Sequence, residues 1–301
     1  MYKLNKKITV RTPGTCGELA QGVIDGNCFH ITCPVDLFSY VSVELAKKTE
    51  ISFNKWKTKK AVEKMLKLFR EKINLKVRIQ SEIPVSKGMA SSTADIVGGC
   101  LATANLLNLK ISEDDISKIC LFIEPTDGIM FPGITLFDHR EGKIKEYLGS
   151  APKMKILVVD LGICVDTIEF NKKTFLHKHL SNQKKIKKAF ELIKTGIRQN
   201  DIHMIGEGAT ISAFCNQKIL YKPELEKILN IVLKLGAVGI NIAHSGGVVG
   251  ILLNYEFSDM EFLKTKLQEK FKKRFNFYET ELINGGGQIE NFTRRKYYRS
   301  N

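Results

Sequence analysis

No stretch of this chain restricts its fold more than Pro84-Val85-Ser86-Lys87-Gly88-Met89-Ala90-Ser91-Ser92-Thr93-Ala94-Asp95. Before it, Ile73, Leu75, Val77 and Ile79 alternate with polar partners as in a half-buried strand. After it, Ala94, Val97, Leu101 and Ala104 recur at helical spacing, which predicts a helix from Ser91 to Leu107. The stretch is therefore the loop of a strand-to-helix junction. Gly88 removes the side-chain barrier to close main-chain approach, and the N–H groups opening the helix attract anionic oxygens with help from its dipole. Ser91, Ser92 and Thr93 add hydroxyls suited to phosphate or magnesium, and Lys87 adds a mobile positive charge. An ordinary N-cap would account for Ser and Thr at this place equally well. The loop has neither the Walker spacing, GxxxxGK followed by Ser or Thr, nor the dinucleotide pattern GxGxxG.

The rest of the 301-residue chain reads as a packed protein: 43% hydrophobic and 26% charged residues exclude collagen-like and disordered classes. No apolar run approaches the ~20 residues of a bilayer crossing, and Met1 to Lys7 is polar, so a cytoplasmic location is expected. The seven cysteines, Cys16, Cys28, Cys33, Cys100, Cys120, Cys164 and Cys215, contain no CxxC pair and read as free thiols. A formal charge of +15 suits either nucleic acid or an anionic small substrate. Runs such as Lys184, Lys185, Lys187 and Lys188 lack interleaved aromatic residues and read as a solvated face.

Val41, Val43 and Leu45 predict another half-buried strand, with a surface helix carrying Val62, Met65, Leu66 and Phe69 between it and the Ile73 segment. Ser112 and Asp115 resemble a capping box opening a third helix that ends before Pro125. A domain boundary is expected near 150, before a strand at Ile156 to Val159. Beyond it come helical patterns through Ile186 to Ile197 and Leu225 to Leu233, strands at Ala237 to Ala243 and Val248 to Leu253, a helix near Ser258 to Lys272, and a strand near Phe277 to Leu282. The class is α+β.

As it stands, PVSKGMASSTAD resembles the P-x-x-x-G-x-x-S-S motif of the GHMP kinases, with Met89 where many members have Leu. Two further motifs follow the order of that superfamily: Thr12-Pro13-Gly14-Thr15-Cys16-Gly17-Glu18-Leu19, and Ala243-His244-Ser245-Gly246-Gly247-Val248-Val249-Gly250. Within it, the strings PGTCGELAQG, CPVD at Cys33 to Asp36, KGMASSTAD and EPTDGIMFPG are similar to the L-threonine kinases that make O-phospho-L-threonine for cobalamin side-chain synthesis. The resemblance implies a two-domain fold, ribosomal-protein-S5-like over 1–150 and ferredoxin-like over 151–301, with ATP and Mg2+ as cofactors. It also implies a small hydroxylated acceptor, no nucleic-acid or membrane partner, and a homodimer left open. Homoserine or another small alcohol is the alternative acceptor, and a non-catalytic ligand-binding protein of the same fold is the alternative class.

By the same resemblance the loop Pro84 to Thr93 holds the nucleotide phosphates, aided by Lys87, while Ser92 and Glu124 hold the metal. Asp127, three residues beyond Glu124, is the candidate to align or deprotonate the acceptor hydroxyl, because phosphoryl transfer needs a positioned nucleophile. Pro13, Gly14 and Gly17 predict a tight loop after a short strand, presenting Thr15, Cys16 and Glu18 to a cleft. Glu18 would bind the ammonium of an amino-acid acceptor with help from Asp36. His244, Ser245, Gly246 and Gly247 would turn beside the same cleft, and no metal is assigned to the histidines.

Overall fold

The computed structural model describes residues 6–24, 26–163, 181–272 and 274–290. Cys164, His177, His179 and the tail residues Arg294, Arg295, Lys296, Tyr297 and Tyr298 lie outside the described residues. Two long antiparallel strands open the chain, β1 (Lys7–Ile24) and β2 (Asn27–Leu45). The tight loop expected at Pro13 to Gly17 does not form. That segment runs inside β1, and its proline and glycines are absorbed by register shifts at Pro13/Gly14 and between Thr15 and Ala20. Tertiary pairing on both sides overrides the local turn chemistry here.

The helix α1 (Trp56–Leu68) precedes β3 (Leu75–Ser81), which pairs with β2. Then come α2 (Ser91–Leu107), with the bounds its periodicity predicts, and α3 (Glu113–Ile123). Ser112 caps α3 in a reciprocal box with Asp115. Two short strands that the sequence pattern did not disclose, β4 (Ile134–Phe137) and β5 (Lys145–Gly149), extend the sheet beyond β2. Val62 and Met65 of α1 and Val97 and Cys100 of α2 are buried against this layer.

The second half contains β6 (Met154–Asp160), α4 (Gln183–Gln199), α5 (Ile202–Asn216), α6 (Leu225–Lys234), β7 (Gly239–Ile242), β8 (Val248–Asn254), α7 (Met260–Phe271), β9 (Asn276–Glu281) and β10 (Gln288–Ile289). The strand order β7-β8-β6-β9, all antiparallel, is that of a ferredoxin-like βαββαβ unit. Helix α5 escaped sequence reading because it has no single apolar stripe. It is packed against both α4 and β7, and Gly206 and Gly208 allow those close contacts.

One sheet runs through both halves in the order β5-β4-β2-β1-β7-β8-β6-β9, joined where Glu18 of β1 pairs with Ile242 of β7. Gly17 makes the junction possible: its φ is +56°, and a Cβ there would overlap the Ile242 carbonyl. Beneath it, Leu19 and Ile31 share a buried core with Ile156, Val158, Ile193 and Val248. Among the described residues no helix is long and apolar enough to cross a membrane.

Candidate active site

The junction of the two halves is also where the chemistry-bearing segments converge. The loop before α2 enters first. Its helix opens at Ala90, whose φ of 57° is left-handed and whose side chain offers no cap. No Ser or Thr hydroxyl serves as the N-cap, so the simple capping account of this loop fails. The first-turn N–H groups, which have no helical carbonyl to pair with, face a concave surface lined by Ser86, Gly88 and Ser91 to Thr93. Gly88 has φ +78°, and a Cβ on it would come 2.5 Å from the Ala243 Cβ and 3.0 Å from the Gly246 Cα. A Cβ on Gly246 would in turn overlap the Lys87 carbonyl. The two glycines therefore allow the loop to rest directly on the turn after β7, while Thr15 N–H donates to the Met89 carbonyl at 3.0 Å and ties its base to β1.

Glu124 arrives from the end of α3. The following Pro125 disfavours helical geometry at its predecessor, and Glu124 is extended at φ −162°, ψ 160°. Its buried carboxylate accepts from Ser92 Oγ at 2.5 Å and from Lys57 Nζ at 2.6 Å. The pair Ser92 and Glu124 offers the hard oxygen donors that Mg2+ prefers, and both line the open cleft, so the donor set fits that ion. One turn of chain further on, Thr126 N–H donates to the His139 carbonyl at 2.9 Å and Gly128 N–H to Thr32 Oγ1 at 3.2 Å. These bonds fix Asp127 between them.

Asp127 Oδ1 lies 3.3 Å from His30 Nδ1, and Glu18 Oε1 lies 3.6 Å from the same nitrogen. Glu18 is 3% exposed where Asp127 is 21% exposed. Burial, reinforced by the neighbouring Asp127 charge, raises the Glu18 carboxyl well above the usual carboxylate range. Both carboxyls line the cleft, and Asp127 is the more exposed of the two.

Of the residues singled out from sequence, Val85, Ser86, Gly88 to Thr93, Glu18, Glu124, Asp127, His244 and Ser245 line this cleft. Others do not. Lys87 turns away to pair with Asp160 at 2.8 Å, across the junction on β6. Pro84, Thr15, Gly246 and Gly247 are outside the lining. Cys16 is buried with its thiol near Asn241 Oδ1, and burial pushes its pKa upward, which leaves it unreactive. Asp36 is brought elsewhere altogether: it accepts from Thr280 Oγ1 and from Glu281 N–H on β9, because a one-residue step past Val35 on β2 points its side chain to that edge.

Three lining residues escaped sequence reading: Lys57, His30 and His139. Lys57 sits in a lysine-rich first turn of α1 where spacing distinguishes it from nothing around it. His30 and His139 meet through sheet pairing of β2 with β4, a register that local pattern does not encode.

Residues 57–131 match the N-terminal domain of the GHMP kinases and residues 189–273 match their C-terminal domain. An L-threonine kinase of Salmonella typhimurium is 35% identical over 285 residues, covering 92% of this chain and 94% of that one. A second L-threonine kinase, from Citrobacter freundii, is 30% identical over 288 residues, covering 92% and 98%. Among solved structures, a homoserine kinase from Cytophaga hutchinsonii superposes with a TM-score of 0.74 at 14% identity, covering 96% of this chain and 99% of that one. At that identity the likeness concerns fold alone.

Proposed function

The chain belongs to the GHMP kinase family, and on that premise we propose that it transfers the γ-phosphoryl group of ATP to the side-chain hydroxyl of L-threonine, giving O-phospho-L-threonine. The observation that supports this most is the alignment, along one cleft, of the uncapped α2 terminus, the Ser92–Glu124 pair and Asp127. The two relatives named L-threonine kinase support the choice of acceptor. On the same reading the enzyme works in the cytoplasm, with its boundary between domains near 150, and its product supplies cobalamin side-chain synthesis.

Each residue has a role that its surroundings suit. The first-turn N–H groups of α2 bind phosphate oxygens without needing to be reorganised. Ser92 and Glu124 would hold Mg2+, which when bound neutralises charge on the phosphate oxygens. Lys57, held at 2.6 Å from Glu124, is the ammonium group stationed at the cleft, whereas Lys87 is engaged with Asp160. Asp127 accepts the hydrogen bond of the acceptor hydroxyl and takes its proton, while His30 fixes the carboxylate from the other side. Burial and the Asp127 charge raise the Glu18 pKa, which favours a neutral group beside Asp127 over two repelling charges.

The decisive experiment incubates the protein with ATP, Mg2+ and an equimolar mixture of L-threonine, L-homoserine and L-serine, and identifies the phosphorylated product by mass spectrometry. O-phospho-L-threonine as the main product is expected. Predominance of O-phospho-L-homoserine would transfer the assignment to the alternative acceptor, and no phosphorylated amino acid would refute the proposal.

A further inference from the structure

Behind Asp127 the cleft floor is made of three imidazole rings from distant parts of the chain: His30 on β2, His139 after β4 and His244 after β7. One ring nitrogen from each lies within 4.8 Å of the others. His30 and His139 are buried, at 3% and 4% exposure. Their rings stack at 3.7 Å, and the His244 ring enters at 57° and 59° to the two of them, with centroids 4.5 and 5.1 Å away. Three imidazoles gathered in a protein interior form an N-donor set of the kind that binds zinc-class ions.

The surroundings orient the rings as ligands. His244 Nδ1 is 2.6 Å from Gln21 Oε1, an atom that can only accept, so Nδ1 carries the hydrogen and Nε2 carries the lone pair. Gln21 is itself fixed by its Nε2 donating to the Ile242 carbonyl at 3.3 Å and by its main-chain N–H donating to Ser212 Oγ. His30 Nδ1 faces the Asp127 and Glu18 carboxyls, and its Nε2 is buried without a hydrogen-bond partner. A carboxylate or amide oxygen behind each of two rings is the outer arrangement that sets tautomer and direction in histidine metal sites.

We propose that His30, His139 and His244 form a binding site for one zinc-class divalent ion, separate from the oxygen-donor pair Ser92 and Glu124. The two sites sort ions by chemistry: imidazole nitrogen selects zinc, cobalt or nickel, and hydroxyl with carboxylate selects magnesium. Zn–N bonds near 2.1 Å in a tetrahedral site place the nitrogens about 3.4 Å apart. Binding therefore draws the rings inward and tilts His30 and His139 out of their stack.

The test uses the full chain with Co2+ and then Zn2+ alone, without nucleotide, so it reads metal uptake and is independent of the acceptor assignment. Expected are one Co2+ per chain with visible d–d absorption, no thiolate charge-transfer band, displacement by Zn2+, and no displacement by excess Mg2+. His139→Gln should weaken Co2+ binding more than about 100-fold, and Gln21→Leu, which removes the orienting oxygen, about 10–100-fold. Should either variant fold poorly, ring 15N chemical shifts of the parent chain on Zn2+ addition decide the matter: three of its six histidines should respond together. Absence of stoichiometric uptake, a thiolate band, unchanged affinity in folded His139→Gln, or a response from fewer than three rings would overturn the proposal.

Discussion

Glu18 and Asp127 approach one nitrogen of His30, yet their exposures divide their work. Burial raises the pKa of the deep carboxyl, and the shallower one is the more exposed to the cleft, so the second is where a change should affect chemistry. Asp127→Asn keeps the contact with His30 but cannot accept a proton. It should lower kcat by about 10²–10⁴-fold with little change in nucleotide affinity, which steady-state rates and equilibrium ATP binding will separate. Lys222 presents a different residue-scale effect. It is fully buried, donates to the Ala243 carbonyl at 3.4 Å, and burial lowers its pKa to about 8. Between about pH 8 and 10.5 the unfolded lysine binds a proton that the folded one has released, so stability should rise with pH across that window. The rise is on the order of 3 kcal/mol. Lys222→Met should abolish this rise and be more stable than the parent at pH 7, as urea unfolding at several pH values will show.

Helix termini do much of the positioning. At its start α2 exposes donors that no side chain caps, and at its end α3 delivers Glu124 to Ser92. The α3 cap is therefore linked to the site through the helix itself. Ser112→Ala removes the bond that Asp115 N–H donates to Ser112 Oγ while keeping the main-chain N–H that donates to Asp115, and should cost about 1 kcal/mol, measured by chemical denaturation, with kcat reduced less than in Asp127→Asn. The turn after β7 supports the loop before α2 from below. In Gly246→Ala the new methyl meets the Lys87 carbonyl and the Gly88 Cα, so the loop must lift. Nucleotide binding should weaken on the order of 10²-fold, read by calorimetric titration with a non-hydrolysable ATP analogue.

At the scale of the molecule, the continuous sheet makes the cleft a property of both halves. Glu18 opposite Ile242 and Lys87 paired with Asp160 each cross the junction. Asp36 links β2 to β9 well away from the cleft lining. Asp36→Ala should therefore reduce stability by about 1–3 kcal/mol in urea unfolding and leave kcat and the threonine KM unchanged. A loss of threonine affinity would instead return Asp36 to the acceptor site.

The elements visible in the sequence are those whose cause is local. The run Ser91–Leu107, the Ser112–Asp115 box, the apolar β6 and the spacing of α4 each depend on neighbours two to four residues away, and each formed as periodicity requires. The motifs that carry Gly88, Ser92, Glu124 and Asp127 likewise pointed to residues that the fold brings to one cleft. Tertiary structure alone decided that the Pro13–Gly17 segment runs within β1, that Lys87 serves Asp160, and that Asp36 serves β9. It alone brought His30, His139 and His244 together. Local pattern carries the energy of short-range packing, whereas these meetings depend on strand register and on which face each strand turns inward, quantities that take their value only once distant segments have paired.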